Sequence, residues 1–161
     1  MAITLEKAKI EDAGILREVQ KTCFLPLLEK YHDGDFNPCN ESLESIQKSI
    51  LNYYFYKIFY DGTLAGGIYV HENPDSKHFK LHTLFILPEL QGKGIGQKAI
   101  EEVEKIHSQA IEWVLETPHD LKRNHHVYEK HGYKRTGVEE KINDNLTLIH
   151  YKKEVIYKKL K

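Results

Sequence analysis

Apolar and polar positions alternate from Ile3 to Ile10, which predicts a first strand. Asp12 follows as an expected N-cap, and Ile15, Leu16, Val19 and Cys23 then recur at helical spacing. That places Cys23 on the core side of a first helix. Tyr31 to Pro38 is dense in turn formers and reads as an irregular loop. Asn40 is the expected cap of a second helix, whose buried stripe is Leu43, Ile46, Gln47 and Ile50. The rhythm changes at Tyr53. Tyr53 to Tyr60 is almost all aromatic or β-branched, which suits a pleated surface. Asp61-Gly62 signals a tight hairpin because both positions tolerate positive φ. Leu64 to His71 is the return strand, Asn73-Pro74-Asp75-Ser76 turns the chain, and Phe79 to Leu87 is the next strand.

Downstream, Ile95, Ala99, Val103 and Ile106 make one stripe of a helix whose other faces carry Glu101, Glu102, Glu104 and Lys105. Ala110 to Leu115 reads as a short apolar strand. Leu121, Asn124 and Tyr128 share a face of the last helix, and Gly132 stands where a left-handed cap is needed. Tyr133–Lys141 and Leu146–Tyr157 form a closing hairpin around Asn143-Asp144-Asn145. Without repeats or linkers, this alternation predicts one α/β domain over residues 1–161, with a mostly antiparallel sheet.

Charge narrows the function. Lysine plus arginine number 23 against 24 acidic residues, so there is no basic excess to neutralise a nucleic-acid backbone. The basic run Lys152-Lys153…Lys158-Lys159…Lys161 is interleaved with Val155, Ile156 and Tyr157 and reads as a strand with a solvated face. Two cysteines, Cys23 and Cys39, imply no disulfide framework. Neither a signal peptide nor an apolar stretch of spanning length is visible, so the cytoplasm is the expected compartment and no membrane partner is expected. His119, His125, His126 and His131 invite a metal hypothesis, but adjacent histidines on a helix point about 100° apart. No carboxylate or cysteine set completes a coordination sphere there, and no metal is expected.

The chemistry concentrates at Gln91-Gly92-Lys93-Gly94-Ile95-Gly96, between a strand and a helix. Glycines let the backbone approach a ligand, and the first N–H groups of a helix point outward unpaired, which together make an anion site. The segment lacks the Gly-Lys-Ser/Thr ending of a P-loop and the glycine spacing of a dinucleotide fold. On its own it supports phosphate binding and nothing finer.

With its flanks, the segment says more. Leu84-Phe85-Ile86-Leu87-Pro88-Glu89-Leu90-Gln91-Gly92-Lys93-Gly94-Ile95-Gly96 resembles the signature of the GNAT superfamily of N-acetyltransferases, Gln/Arg-x-x-Gly-x-Gly/Ala after a strand. Val127-Tyr128-Glu129-Lys130-His131-Gly132-Tyr133 resembles a second family segment, and the element order agrees over nearly the whole chain. The resemblance implies the GNAT fold: α/β (α+β), a mostly antiparallel mixed central sheet of six to seven strands flanked by about four helices. It also implies acetyl-CoA as co-substrate and an amine acceptor, small molecule or peptide, attacking directly in a ternary complex. A non-catalytic acyl-CoA sensor of the same fold is the alternative, and a homodimer is left open.

Residue by residue, the resemblance assigns the coenzyme's pantetheine arm to the backbone of Leu84, Phe85 and Ile86. It assigns the pyrophosphate to Gln91, Gly92, Lys93, Gly94, Ile95, Gly96 and Gln97. Tyr128 matches the tyrosine that protonates the departing thiolate. Asn124, one turn before it, is a cofactor contact, although the family asparagine usually sits one turn further upstream, where this chain has Leu121. Glu116 and His82 are candidate bases, with Glu72 a third. The acceptor side falls to the first helices and their loop, hence Phe24, Tyr31, Asp33, Phe36 and Asn37, with Leu27, His32 and Asp35 nearby.

Overall fold

The computed structural model describes residues 2–155. Ile156, Tyr157 and the last lysines, which the sequence pattern assigns to the closing strand, lie outside the described residues. Seven strands form one sheet: β1 (Ile3–Lys7), β2 (Tyr54–Tyr60), β3 (Thr63–Glu72), β4 (His78–Ile86), β5 (Glu112–Pro118), β6 (Lys134–Lys141) and β7 (Thr147–Glu154). Their order is β1-β2-β3-β4-β5-β7-β6. All neighbours are antiparallel except β4 and β5. Four α-helices flank the sheet: α1 (Ala13–Tyr31), α2 (Leu43–Asn52), α3 (Ile95–Ile106) and α4 (Lys122–Lys130).

Strand alternation divides the core in two. On one face Ile58, Ile68, Val70, Phe79, Trp113, Leu115 and Tyr151 pack against Ile95, Ala99, Ile100 and Val103 of α3 and Tyr128 of α4. On the other, Phe55, Tyr69 and Phe85 meet Ala13, Leu16 and Val19 of α1 and Ile46 and Ile50 of α2. Asp61 and Gly62 both take positive φ (46° and 84°), as the hairpin between β2 and β3 demands.

Several local expectations need correction. Asp12 does not cap α1 with its side chain. Its carboxylate accepts from the Lys9 N–H at 2.8 Å and pairs with Lys57 at 3.0 Å, closing a 3-10 turn ahead of the helix. Ser42, not Asn40, caps α2, with Ser42 Oγ accepting from the Ser45 N–H at 3.1 Å. Ile15, Leu43 and Ile106 lie at the solvent-facing margins of their helices, 51%, 39% and 48% exposed. β5 continues past Glu116 to Pro118, because β7 pairs it through that point.

α1 also runs through Pro26 to Tyr31, where an interior proline costs roughly 3 kcal/mol. Its far end is held from outside. The Tyr31 hydroxyl donates to Asp120 at 2.5 Å, Lys30 pairs with Asp120 at 3.1 Å, and Asn143 donates to the Tyr31 and His32 carbonyls at 2.9 and 3.2 Å. These contacts tie the helix to the end of β5 and to the β6–β7 loop.

Candidate active site

β4 and β5 pair over only three positions, His78–Lys80 with Glu112–Val114. Beyond them β5 stays paired to β7 and β4 to β3, so the two parallel strands splay. Strand backbones present N–H and C=O groups on both edges, and on this side β4 from Leu81 to Ile86 has no strand partner among the described residues. Such an edge is a template for an extended ligand.

At the end of that edge the chain enters the glycine turn. Gly92 and Gly94 both adopt left-handed backbone (φ 80° and 78°), and nothing stands within 4 Å of where a Cβ on Gly94 would project. Gly94 is the N-cap of α3, so no side chain satisfies the first-turn N–H groups. The first bond within the helix is Lys98 N–H to Gly94 C=O at 3.1 Å, leaving the amides of residues 95–97 open. An anion such as a diphosphate fits this donor set. Gly96 is different, because a Cβ there would meet Leu84 Cδ2 at 3.7 Å and Ile86 Cγ1 at 4.0 Å, both ordinary contacts. Gln91 is used internally, its Nε2 donating to the Ile86 carbonyl at 3.0 Å and tying the turn to β4. Lys93 is exposed.

Two adjacent glycines on β3, Gly66 and Gly67, shape this edge from the other side. A Cβ on Gly66 would lie 1.9 Å from the Phe85 carbonyl oxygen, and one on Gly67 would lie 2.5 Å from the Phe85 ring. Their smallness lets β4 lie close and seats Phe85, which packs edge-on to Phe24 (6.2 Å) and Phe55 (6.3 Å). Adjacent glycines inside a strand are a recognisable signal of close approach.

Tyr128 sits on α4, 8% exposed, with its ring between Tyr133 and Tyr151 at 6.0 Å from each. Burial, with a smaller effect of Tyr151, pushes its hydroxyl up to about 12. It is therefore protonated at neutral pH. Its hydroxyl makes no hydrogen bond among the described residues, which leaves the proton available to a ligand. Asn124 is half-buried one turn earlier.

His82 is the extra residue in a β-bulge: Tyr69 pairs with Thr83 and Val70 with Leu81. The bulge turns His82 onto the α1 side of the sheet, where it stacks on His71 (4.8 Å) and packs edge-on to Tyr69 (4.8 Å). His82 is exposed, but the Tyr69 and His71 rings crowd it on one side. That desolvation lowers its pKa, Lys80 lowers it further, and Glu116 opposes. His71, stacked on Tyr53 at 4.0 Å and bonded to the Tyr69 hydroxyl at 2.5 Å, is pushed down to about 4 by burial, His82 and Lys80. The unfolded chain thus binds this proton more readily, with its pKa near ~6.5. His71 supports folding above pH ~6.5, and that support is lost as pH falls towards about 4. Urea midpoints measured from pH 7 to 4 are expected to fall, and His71→Phe is expected to flatten the fall.

Glu116 shares this face, its carboxylate held by Lys80 at 3.0 Å. With Glu140 and His150 it forms a group whose ligand atoms lie within 4.8 Å of one another, which the histidine count did not anticipate. The sequence-flagged histidines instead diverge. His125 Nε2 donates to the Pro118 carbonyl and His131 Nδ1 to the Val127 carbonyl, each at 2.8 Å. Glu72 is removed from the site. It lies six residues along β3 from Gly66, about 20 Å, and its carboxylate raises the pKa of the Tyr54 hydroxyl.

The acceptor-side expectations shrink. Tyr31 is 1% exposed and bonded to Asp120, so its hydroxyl faces no open groove. Asp33 and Asn37 are buried and bonded to each other at 3.1 Å, and Asn37 also accepts from the Cys39 N–H at 2.8 Å. These polar groups build the loop rather than face an incoming amine. Phe24, against Phe85, and Phe36, 71% exposed, keep contact surface. Two surface hollows of about 270 and 440 Å³ lie elsewhere, beside Tyr54 and Glu72 and beneath His107 and Trp113.

Comparison with known proteins agrees with this geometry. Residues 16–133 match the Acetyltransferase (GNAT) family, and the chain belongs to it. The Bacillus subtilis (strain 168) protein YrkN is 28% identical over 130 residues, covering 78% of this chain and 69% of that protein. The fold is similar to that of the PaiA N-acetyltransferase of Thermoplasma acidophilum in complex with coenzyme A (TM-score 0.76, 22% identity, 96% of this chain and 100% of that one). It is also similar to YncA of Salmonella typhimurium with its cofactor acetyl-CoA (TM-score 0.74, 13% identity, 100% and 98%).

Proposed function

We propose that this chain moves the acetyl group of acetyl-CoA to a primary amine of a small molecule or peptide, by direct attack in a ternary complex. The observation that carries this reading is the continuity of the unpartnered edge of β4 with the open amides after Gly94. A pantetheine arm ending in a diphosphate has one part for each. The backbone of Leu84, Phe85 and Ile86 pairs with the amide-rich arm and aims a donor at the thioester oxygen. The turn from Gly92 to Gln97 holds the diphosphate, and Asn124 reaches the arm from α4.

The amine reaches the thioester from the α1 side, past Phe24. Its nitrogen bonds to the carbonyl carbon, the C–S bond breaks, and the sulfur takes the Tyr128 proton. His82, neutral at pH 7 because its pKa is lowered, takes the proton released by the amine, directly or through water. Glu116, held by Lys80, offers a second acceptor for that proton. No helix among the described residues is long and apolar enough to cross a membrane, and we place the reaction in the cytoplasm.

Thiol release from acetyl-CoA over a panel of amines tests the reading. Coenzyme binding without release by any amine would favour a sensor instead. If His82 is the base, the acid limb of kcat/KM falls below pH ~6.5, and His82→Gln removes that limb. A limb unchanged in that variant would reassign the base.

A further inference from the structure

The basic character of α4 is unexplained by the reaction. From Lys122 to His131 the chain reads Lys-Arg-Asn-His-His-Val-Tyr-Glu-Lys-His, and its single acid, Glu129, accepts from the Tyr151 hydroxyl at 2.7 Å. Arg123, exposed in the first turn, does not point into open solvent alone. Its Nη2 lies 3.2 Å from where a Cβ on Gly92 would stand, so the guanidinium rests directly over the glycine turn. Among the described residues it makes no hydrogen bond or ion pair. A planar cation with several unused donors thus faces a turn whose own amides are open, although the two come from segments about thirty residues apart.

We propose that Arg123 is a phosphate ligand of the coenzyme, closing a clamp on the diphosphate opposite the backbone amides that follow Gly94; this rests on the acetyl-CoA reading above. The guanidinium fork matches two phosphate oxygens at once, which a lysine would not do. The requirement for glycine at position 92 acquires a second reason. Besides its left-handed φ, a side chain there would push the guanidinium off the turn. The clamp also links α4, which carries Tyr128, to the bound phosphate, so that the same contact that holds the coenzyme sets the height of the proton donor above it.

Calorimetric titration of coenzyme A and of 3′-dephospho-coenzyme A into wild type, Arg123→Gln and Arg123→Ala tests this. Both ligands keep the diphosphate, so both are expected to bind each variant roughly tenfold more weakly. Arg123 is exposed, and thermal melts of the free variants should match wild type. Unchanged affinity would overturn the assignment while leaving the acetyl-CoA reading intact. Weakening confined to coenzyme A would also overturn it, placing the guanidinium at the ribose phosphate. A wild type that binds neither ligand would remove both proposals together.

Discussion

Tyr128→Phe is expected to lower kcat about a hundredfold while leaving coenzyme affinity within twofold. The phenyl ring keeps its packing against Tyr133 and Tyr151, so the change removes little more than the hydroxyl. In the proposed mechanism, what it removes is the proton for the departing sulfur. Burial lifts that hydroxyl to about 12, well above a thiol near ~8.5. Transfer is therefore uphill even to the free thiolate, so the hydroxyl acts as a donor to the charge developing on sulfur in the transition state and matters hardly at all in binding. Steady-state thiol release separates this from a structural role, because a packing defect would lower Tm and raise the coenzyme Kd together. A kcat at the wild-type level would move the proton donor elsewhere.

Gly66→Ala is expected to be the most damaging single methyl in the sheet. The new Cβ would stand 1.9 Å from the Phe85 carbonyl oxygen and 2.9 Å from its carbon, both backbone atoms that no rotamer change can move aside. β3 and β4 would have to part. Overpacking of this kind costs about 3 kcal/mol or more, roughly 6–12 °C in Tm for a domain of this size. Gly96→Ala is the control, since its Cβ meets only Leu84 and Ile86 side chains at ordinary distance. Equal melting temperatures for the two variants would show that the sheet relaxes around Phe85.

Much of the fold can be read from local pattern. The β2–β3 hairpin follows from Asp61-Gly62, and the glycine turn before α3 from Gly92 and Gly94, because each position needs a left-handed backbone that few residues supply. What local pattern misses is set by distant contacts. Pro26 ought to end α1, yet Asp120 and Asn143 hold the helix onward to Tyr31. Asp33 and Asn37 have the chemistry of a cation site but bond to each other. His71 never stood out, because only the bulge at His82 brings the two imidazoles together. Arg123 looked like any surface arginine until α4 was laid across the turn.

The splay of β4 from β5 carries a cost whenever no ligand lies in it. A strand in the middle of the sheet then exposes unpaired backbone groups to water, much as an edge strand does, and is open to pairing with a foreign chain. Any ligand that fills the gap stabilises only the folded form, by an amount that grows with the logarithm of its concentration. On the acetyl-CoA reading proposed above, resistance of this protein to proteolysis and aggregation is expected to rise with the concentration of coenzyme A.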